Sequence, residues 1–569
     1  MKEKFKANSA VILLFLIISF CVMIPFYKHN VLNSGSDMQF HLNRINEIYQ
    51  CLRNGGTYPF VSVYSFNHVG MPVNMMYPSV FLYFFAFLRF LIHNPVTATY
   101  AGINLLIFLS CVINYKIGLK FWKNDKRKSF IFAILYTLST NYFLLLFSGF
   151  TLGEAIAAVF LPAVFYGMYS IFFSEKNEWY ILALGMICVL YAHLLSVLIY
   201  TMSLFIIFLI ALKYSHNILK GIVSLVLAVV SVMLGGTFFF VGFFKAIMST
   251  HMHMTAVFDL QNTAIGLGDF AKNSLDNNAI GAIFFIILII SIVKWSSFRP
   301  EIRVIIVLAM AFCILTTNLI PWRLFQNTPL NVIQFPYRFL TVANLFLAII
   351  SVELFSFFDL EVGIKKWIMP IVVTALCGIS FVSSTFVFFS NTQSEPEVSR
   401  IPTVKKSINM TNFKVTPAQF NNILKFNNGV GSTDYWPQKS VPFFNSIVTH
   451  RLILNGHYRI KVNPKLYPNS IMYEVNLKNG VQSIDLPVLN YSFYNVSVDG
   501  KDKKFSMSKR GTIQINNLKK GKSKINITYN VSAVQKIAVV VSVVSITLLF
   551  VLCEYQRIKS IKNDKKAKD

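Results

Sequence analysis

About twelve apolar runs near the length of a bilayer divide this chain, and a chain so divided must satisfy its backbone inside helices that cross a membrane. The runs fall at about 9–27, 100–119, 129–147, 154–173, 178–193, 195–212, 220–244, 279–295, 302–319, 338–357, 367–389 and 534–553. Lys2, Lys4 and Lys6 precede the first run and no small-residue cleavage site follows it, so it reads as an uncleaved span. The runs at 178–193 and 195–212 are short and nearly adjoin, and one long bent helix in their place would invert everything after them.

Composition agrees, because 55% hydrophobic and 13% charged residues exclude a soluble globular domain. The net charge of +28 raises nucleic acid as a partner, but Lys and Arg fall in short loops instead of on one basic face. Lys116, Lys120, Lys123, Lys126, Arg127, Lys128, Lys176, Lys213, Lys220, Lys294, Arg299, Arg303, Lys365, Lys366 and the tail "RIKSIKNDKKAKD" all fit loops on one side, with both termini cytoplasmic. No nucleic-acid partner is expected. The seven cysteines show neither a disulfide framework nor a metal-ligand spacing.

The stretch "YPSVFLYFFAFLRFLIHNP" is short, has Pro near both ends and contains Arg89. Counting it as a crossing would place the "KFWKNDKRK" loop outside, so it predicts a helix on the outer surface over about 78–93. The polar segment 391–533 alternates in period two in its second half, as in "YNVSVDG", "GTIQINN" and "SKINITYN", and predicts an extracytoplasmic β-rich domain. "NNGVGSTDYWP" in its first half is a turn-rich loop without a strand or helix assignment. The expected organisation is a transmembrane domain over 1–390, the β-rich domain over 391–533, and a final helix with a basic tail over 534–569. The fold class is mostly α, polytopic, with β-structure before the last helix.

In "GSDMQFHLNRINEIYQCL", Asp37, His41, Arg44 and Ile48 recur at helical spacing beside an apolar stripe, which predicts an outer-surface helix over about 37–53. Asp37 can be read as a helix cap, with His41 and Arg44 facing water, or as a functional acid. Glu154 in "SGFTLGEA" opens a span on the same side, where it is either a first-turn acid favoured by the helix dipole or a group with a partner. His193, Lys245, His251, His253, Asp259, Arg323 and Arg338 also fall on that side. His251 and His253 suggest a flexible loop more than half of a metal site. Arg338, after "QFPY", suits a lipid-linked phosphate at head-group level, or simple snorkelling.

The order of "SD" after the first span, a surface helix opening with "YPS", a basic inner loop and then "SGFTLGEA" resembles the GT-C superfamily of integral-membrane glycosyltransferases. "QFPYRF" and "LPVLNYSFYNVSVDGK", with a β-domain closed by a final span, are similar to its bacterial YfhO-type branch. The resemblance implies transfer of a sugar from a polyprenyl-phosphate donor to a cell-envelope acceptor, such as teichoic acid or another glycan or lipid, on the outer face of the bacterial cytoplasmic membrane. It implies Asp37 as base, Glu154 as acceptor-positioning or second acid, and Arg44 and Arg338 as phosphate contacts, with His41, His193, Tyr77 and Arg323 as further substrate-binding candidates. No cofactor is firmly implied. A single Glu154 stands where oligosaccharyltransferases carry Asp-x-Asp, which weighs against a divalent cation. A polysaccharide or lipid transporter and a non-catalytic envelope-binding protein remain open readings, the former expected to carry charges in mid-span.

Overall fold

The computed structural model describes residues 2–33, 35–215, 217–358, 367–390, 414–425 and 431–566, with side chains from 9 to 559. Lys365, Lys366 and residues 391–413 lie outside the described residues, as do the side chains of Lys2, Lys4 and Lys6.

Each apolar run forms a helix. Eight are long and apolar enough to cross a membrane: Ser9–His29, Pro95–Phe121, Leu152–Phe173, Leu194–Tyr214, Ile218–Gly235, Pro336–Phe358, Ile368–Ser390 and Ala533–Lys559. A ninth, Lys126–Thr137 with Thr140–Ser148, is bent by 44°. Ser139 sits at that bend and its hydroxyl accepts from the Tyr142 N–H, which restarts the helix. Trp179–Ala192, Gly281–Val293 and Pro300–Leu315 are shorter than a bilayer requires.

The runs at 178–193 and 195–212 are two helices broken at His193, which is extended at φ −158°. Asn177 donates to Ser224 early in Ile218–Gly235 (2.8 Å), and the His193 ring lies tilted against Tyr77 at 5.5 Å between centroids. The Leu194–Tyr214 helix therefore returns toward the end from which Trp179–Ala192 set out, so the two helices run in opposite directions.

At that end the basic loops find acids. Lys120 pairs with Glu178 at 2.6 Å, and Lys128 and Arg299 pair with Glu353 at 3.3 and 3.5 Å. Trp122 Nε1 also donates to Glu353 at 2.6 Å. The loops that carry Lys120, Lys128 and Arg299 thus share one end of the bundle.

The helix expected on the outer surface over 37–53 is present as Met38–Arg53, but His41, Asn43, Arg44, Glu47 and Ile48 are buried along with its apolar stripe. Its polar face is covered because the 58–78 segment supplies partners. Glu47 accepts from the Val63 and Tyr64 N–H groups, both at 2.9 Å, and Asn46 bonds Ser65 at 3.1 Å. Burial pushes the Glu47 carboxyl up to about 8, opposed by those backbone donors. The Tyr83–Leu91 helix leaves Phe87, Phe90 and Leu91 exposed, as a helix lying on an apolar phase would.

Two five-stranded antiparallel sheets follow before the last helix. One runs in the order Phe505–Met507, Thr512–Leu518, Val481–Leu489, Arg451–Leu454, Tyr458–Lys461, and the other Lys465–Tyr467, Ser470–Leu477, Gly521–Tyr529, Tyr494–Val498, Lys501–Asp502. Alternate Ile, Val and Tyr residues face a shared core, and Arg510 forms a buried ion pair at 2.9 Å with Asp485 in the central strand Val481–Leu489. Phe60, Val63, Phe66, Val69, Met71 and Met75 enter that same core, so the segment after the Met38–Arg53 helix fixes the sheets to the bundle.

Candidate functional site

The absence of a side chain at Gly35 lets two loops touch. A β-carbon on Gly35 would lie 2.6 Å from the Gly149 carbonyl carbon, and the Gly149 carbonyl accepts from the Asp37 N–H at 3.1 Å and the Ser36 hydroxyl at 3.2 Å. "GSD" and "SGFTLGE", more than a hundred residues apart, are thereby one structural unit.

Asp37 occupies the position before the Met38–Arg53 helix, yet its side chain makes no capping bond. Asp37 is exposed, yet the protein around it displaces enough water to push its carboxyl above the usual aspartate range, while the Arg338 charge pulls it back.

Glu154 lies in the first turn of Leu152–Phe173, where the helix dipole favours an acid. Its Oε2 is 3.6 Å from Arg338 Nε. The Arg338 guanidinium is held from the other side by the Ile333 carbonyl at 2.7 Å and Gln334 Oε1 at 3.0 Å, both through Nη1, and lies 5.0 Å from the Phe335 ring. Nη2 takes no protein partner among the described residues, so one corner of the fork is left for a ligand.

Arg44 is differently placed. Its Nη2 donates to the carbonyls of Tyr77, at 3.1 Å, and Pro78, and its guanidinium lies 4.2 Å from the Tyr77 ring centroid. With 1% exposure it organises the "YPS" turn, and its charge reaches the site through Tyr77. Tyr77 in turn presses its hydroxyl against Gly153, beside Glu154, where any side chain would collide with it. His41 and His193 flank Tyr77 at 5.9 and 5.5 Å between centroids. Burial, then Arg44, then His193 hold His41 well below the usual imidazole range, so it is neutral, and its buried Nε2 has no partner.

The structure therefore gathers Asp37, Glu154, Arg338, Tyr77, His41, His193 and Arg44 at the end of the bundle opposite the Lys120–Glu178 pair. Arg323 is not among them: it is exposed, with its backbone N–H donating to Gln261 and its carbonyl accepting from the Gln326 N–H. His251 and His253 are not ligands to each other's partner. Their backbones pair with Gln438, Tyr435 and Trp436, so "THMHM" is an edge against the "DYWPQ" turn. Among the described residues no three His, Cys, Asp or Glu side chains group as metal ligands.

Tyr435, at the edge of the β-core in that turn and within electrostatic reach of Arg44 and Tyr77, was missed by sequence reasoning. Only a Trp and a Pro in a polar, turn-rich stretch hinted at an anchored loop.

A family described as a 6-pyruvoyl-tetrahydropterin synthase related domain, and as a membrane protein, matches residues 75–388. No curated protein matches the chain in sequence. Arabinofuranosyltransferase AftD from Mycobacteria is similar in structure, with 13% identity and a TM-score of 0.42, over 67% of this chain and 27% of that one. ArnT from Cupriavidus metallidurans bound to undecaprenyl phosphate shares 13% identity with a TM-score of 0.37, over 69% of this chain and 66% of that one. The chain thus spans about a quarter of the first protein's length and about two thirds of the second's.

Proposed function

We propose a glycosyl-transfer function for this chain, which belongs to the 6-pyruvoyl-tetrahydropterin synthase related family of membrane proteins. It is a GT-C-type glycosyltransferase that moves a sugar from a polyprenyl-phosphate donor to a cell-envelope acceptor, a glycopolymer such as teichoic acid in the YfhO-type manner. The observation that carries the reading is the uncapped Asp37 carboxylate beside the Arg338–Glu154 pair.

Asp37 takes the proton of the acceptor hydroxyl as its oxygen bonds the anomeric carbon. The bond from that carbon to the phosphate oxygen breaks, and its electron pair leaves with the polyprenyl phosphate. A carboxyl raised by burial is a stronger base than an ordinary aspartate, provided it is ionised. Arg338 meets the developing phosphate charge with its free Nη2, while Glu154 fixes the guanidinium and borders the acceptor. Arg44, spent on the Tyr77 and Pro78 carbonyls, positions the Tyr77 wall and adds positive potential. His41 and His193, flanking Tyr77, offer neutral hydrogen-bonding groups to sugar hydroxyls.

The donor's lipid tail requires the site to sit at a membrane surface, and the clustering of Lys120, Lys128 and Arg299 at the opposite end supports a cytoplasmic assignment for that end. In a Cys-free background, a cysteine at position 470 should react with an impermeant thiol reagent added to whole cells, and one at 125 should not. Labelling of 125 alone overturns the sidedness.

Donor recognition is tested with undecaprenyl phosphate itself. Added to purified protein it should raise the melting temperature, because a ligand of the folded state stabilises it by mass action. A shift no larger than that from undecaprenol, which lacks the phosphate, counts against a donor site.

A further inference from the structure

Fifteen Lys and Arg stand against five Asp and Glu over residues 431–533. Topology collects Lys and Arg in short inner loops, but in the proposed orientation these residues lie outside, so that rule does not account for them. Strand Arg451–Leu454 pairs with Tyr458–Lys461 in the register Arg451↔Lys461, Leu452↔Ile460, Ile453↔Arg459 and Leu454↔Tyr458. Leu452, Leu454 and Ile460 pack into the β-core. The pleat therefore turns Arg451, Arg459 and Lys461 to the opposite face, where all three are exposed.

Arg451 and Lys461 sit directly across from each other, about 5 Å apart at their β-carbons, and Arg459 is the diagonal neighbour of Arg451. Like charges so placed weaken a strand pair. Asp485 lies on the same face, opposite Ile453, but its carboxylate accepts from Arg510 Nε and Nη2, both at 2.9 Å, and from the Thr512 hydroxyl. Among the described residues no acid pairs with Arg451, Arg459 or Lys461. Beyond Asp485 the face continues through Gln514 and Asn516, joined by a bond of 3.1 Å, to Ser506. Its strands present no large exposed apolar side chain, which a face entering a membrane interface would need. The foot of the ribbon approaches the Asp37 site through the segment after the Met38–Arg53 helix. His450 lies 6.0 Å from His68, Phe66 lies 5.8 Å from Phe40, and Phe40 lies 5.4 Å from Tyr77, each between ring centroids.

We infer that the face carrying Arg451, Arg459 and Lys461 is the docking surface for the acceptor, a polymer with repeated anionic groups, and holds it while one of its hydroxyls reaches Asp37. The inference rests on the glycosyl-transfer reading and gives the acceptor its charge and its place. Two Arg and one Lys at strand spacing meet successive phosphates or carboxylates of an extended chain, and the neutral amides beside them suit the hydroxyls between those charges.

The test uses full-length protein in nanodiscs of phosphatidylcholine. Poly(glycerol phosphate) and polygalacturonate are the anionic probes, dextran the neutral one, and vesicles of phosphatidylglycerol the membrane probe. At least one anionic polymer should bind, more weakly as salt is raised, and dextran should not. Tighter binding of one of the two names the anion. The triple variant Arg451→Gln, Arg459→Gln, Lys461→Gln should lose at least about tenfold in affinity for that polymer. It should melt at the wild-type temperature or above, because the repulsive pair is gone. A second triple variant, Lys519→Gln, Lys520→Gln, Lys522→Gln, removes the same charge at the turn between Thr512–Leu518 and Gly521–Tyr529, and should change the affinity by less than about threefold.

Binding of neither anionic polymer, equal binding of dextran, wild-type affinity in the first variant or as large a loss in the second overturns the inference. So does a fall in melting temperature that parallels the loss, or a defect confined to the vesicles, which would mark a membrane contact. If Asp37→Asn transfers sugar normally, the glycosyl-transfer reading itself has failed whatever the polymers do; if only the polymer result fails, this inference alone has.

Discussion

Asp37→Asn should lower glycosyl transfer at least about a hundredfold and leave the protein folded, inserted and responsive to undecaprenyl phosphate. An amide keeps the size of the carboxylate but cannot accept the acceptor's proton. The helix loses little, since the Asp37 side chain makes no capping bond. Stability should hold or improve at neutral pH. Burial raises the folded-state pKa of Asp37 above its unfolded value, so its favourable contribution exists at low pH and is lost as pH rises through the folded value. The amide removes that loss. For the same reason the acid limb of the wild-type rate should lie above the ordinary aspartate range. A variant with near wild-type transfer would return Asp37 to a structural place in the "GSD" turn.

Arg338→Lys should be nearly as damaging, by a different route. The substitution keeps one positive charge but loses the planar fork that joins the Ile333 carbonyl, Gln334 and Glu154 while leaving Nη2 open. Lysine's single ammonium cannot serve those partners and a phosphate together. The melting shift from undecaprenyl phosphate should shrink or vanish, and the donor concentration needed for half-maximal transfer should rise about tenfold or more. Acceptor dependence should change less. Equal donor use by the lysine and wild-type proteins would mean that Arg338 only anchors the end of its helix at the head groups.

The spans were legible because apolar length and basic loops are written locally in the sequence. The opposition of Asp37 and Glu154 to Lys120, Lys128 and Arg299 followed from topology, and Gly35 and Gly149 mark where the two acidic loops touch. Other features depend on distant partners. The Met38–Arg53 helix has the pattern of a surface helix, but the N–H groups of Val63 and Tyr64 and the carbonyls of Tyr77 and Pro78 meet Glu47 and Arg44 and bury its polar face. No spacing announces that exchange. Arg323 shares a side with Arg338 in sequence but faces outward, since it precedes the short 3₁₀ turns that carry Arg338 inward. Tyr435 was hidden because its position depends on pairing with His251 and His253, nearly two hundred residues earlier.

A chain that consumes a polyprenyl-linked sugar to decorate an envelope acceptor should leave that sugar on its carrier when it is disabled. The most direct measurement is a paired analysis of envelope glycan and polyprenyl-linked lipids in a deletion strain, complemented with wild type or with Asp37→Asn. One sugar substituent should be missing from the glycan in the deletion and Asp37→Asn strains while its polyprenyl-linked form accumulates, and wild type should reverse both. An unchanged glycan with no accumulated lipid-linked sugar, or full restoration by Asp37→Asn, would contradict the account.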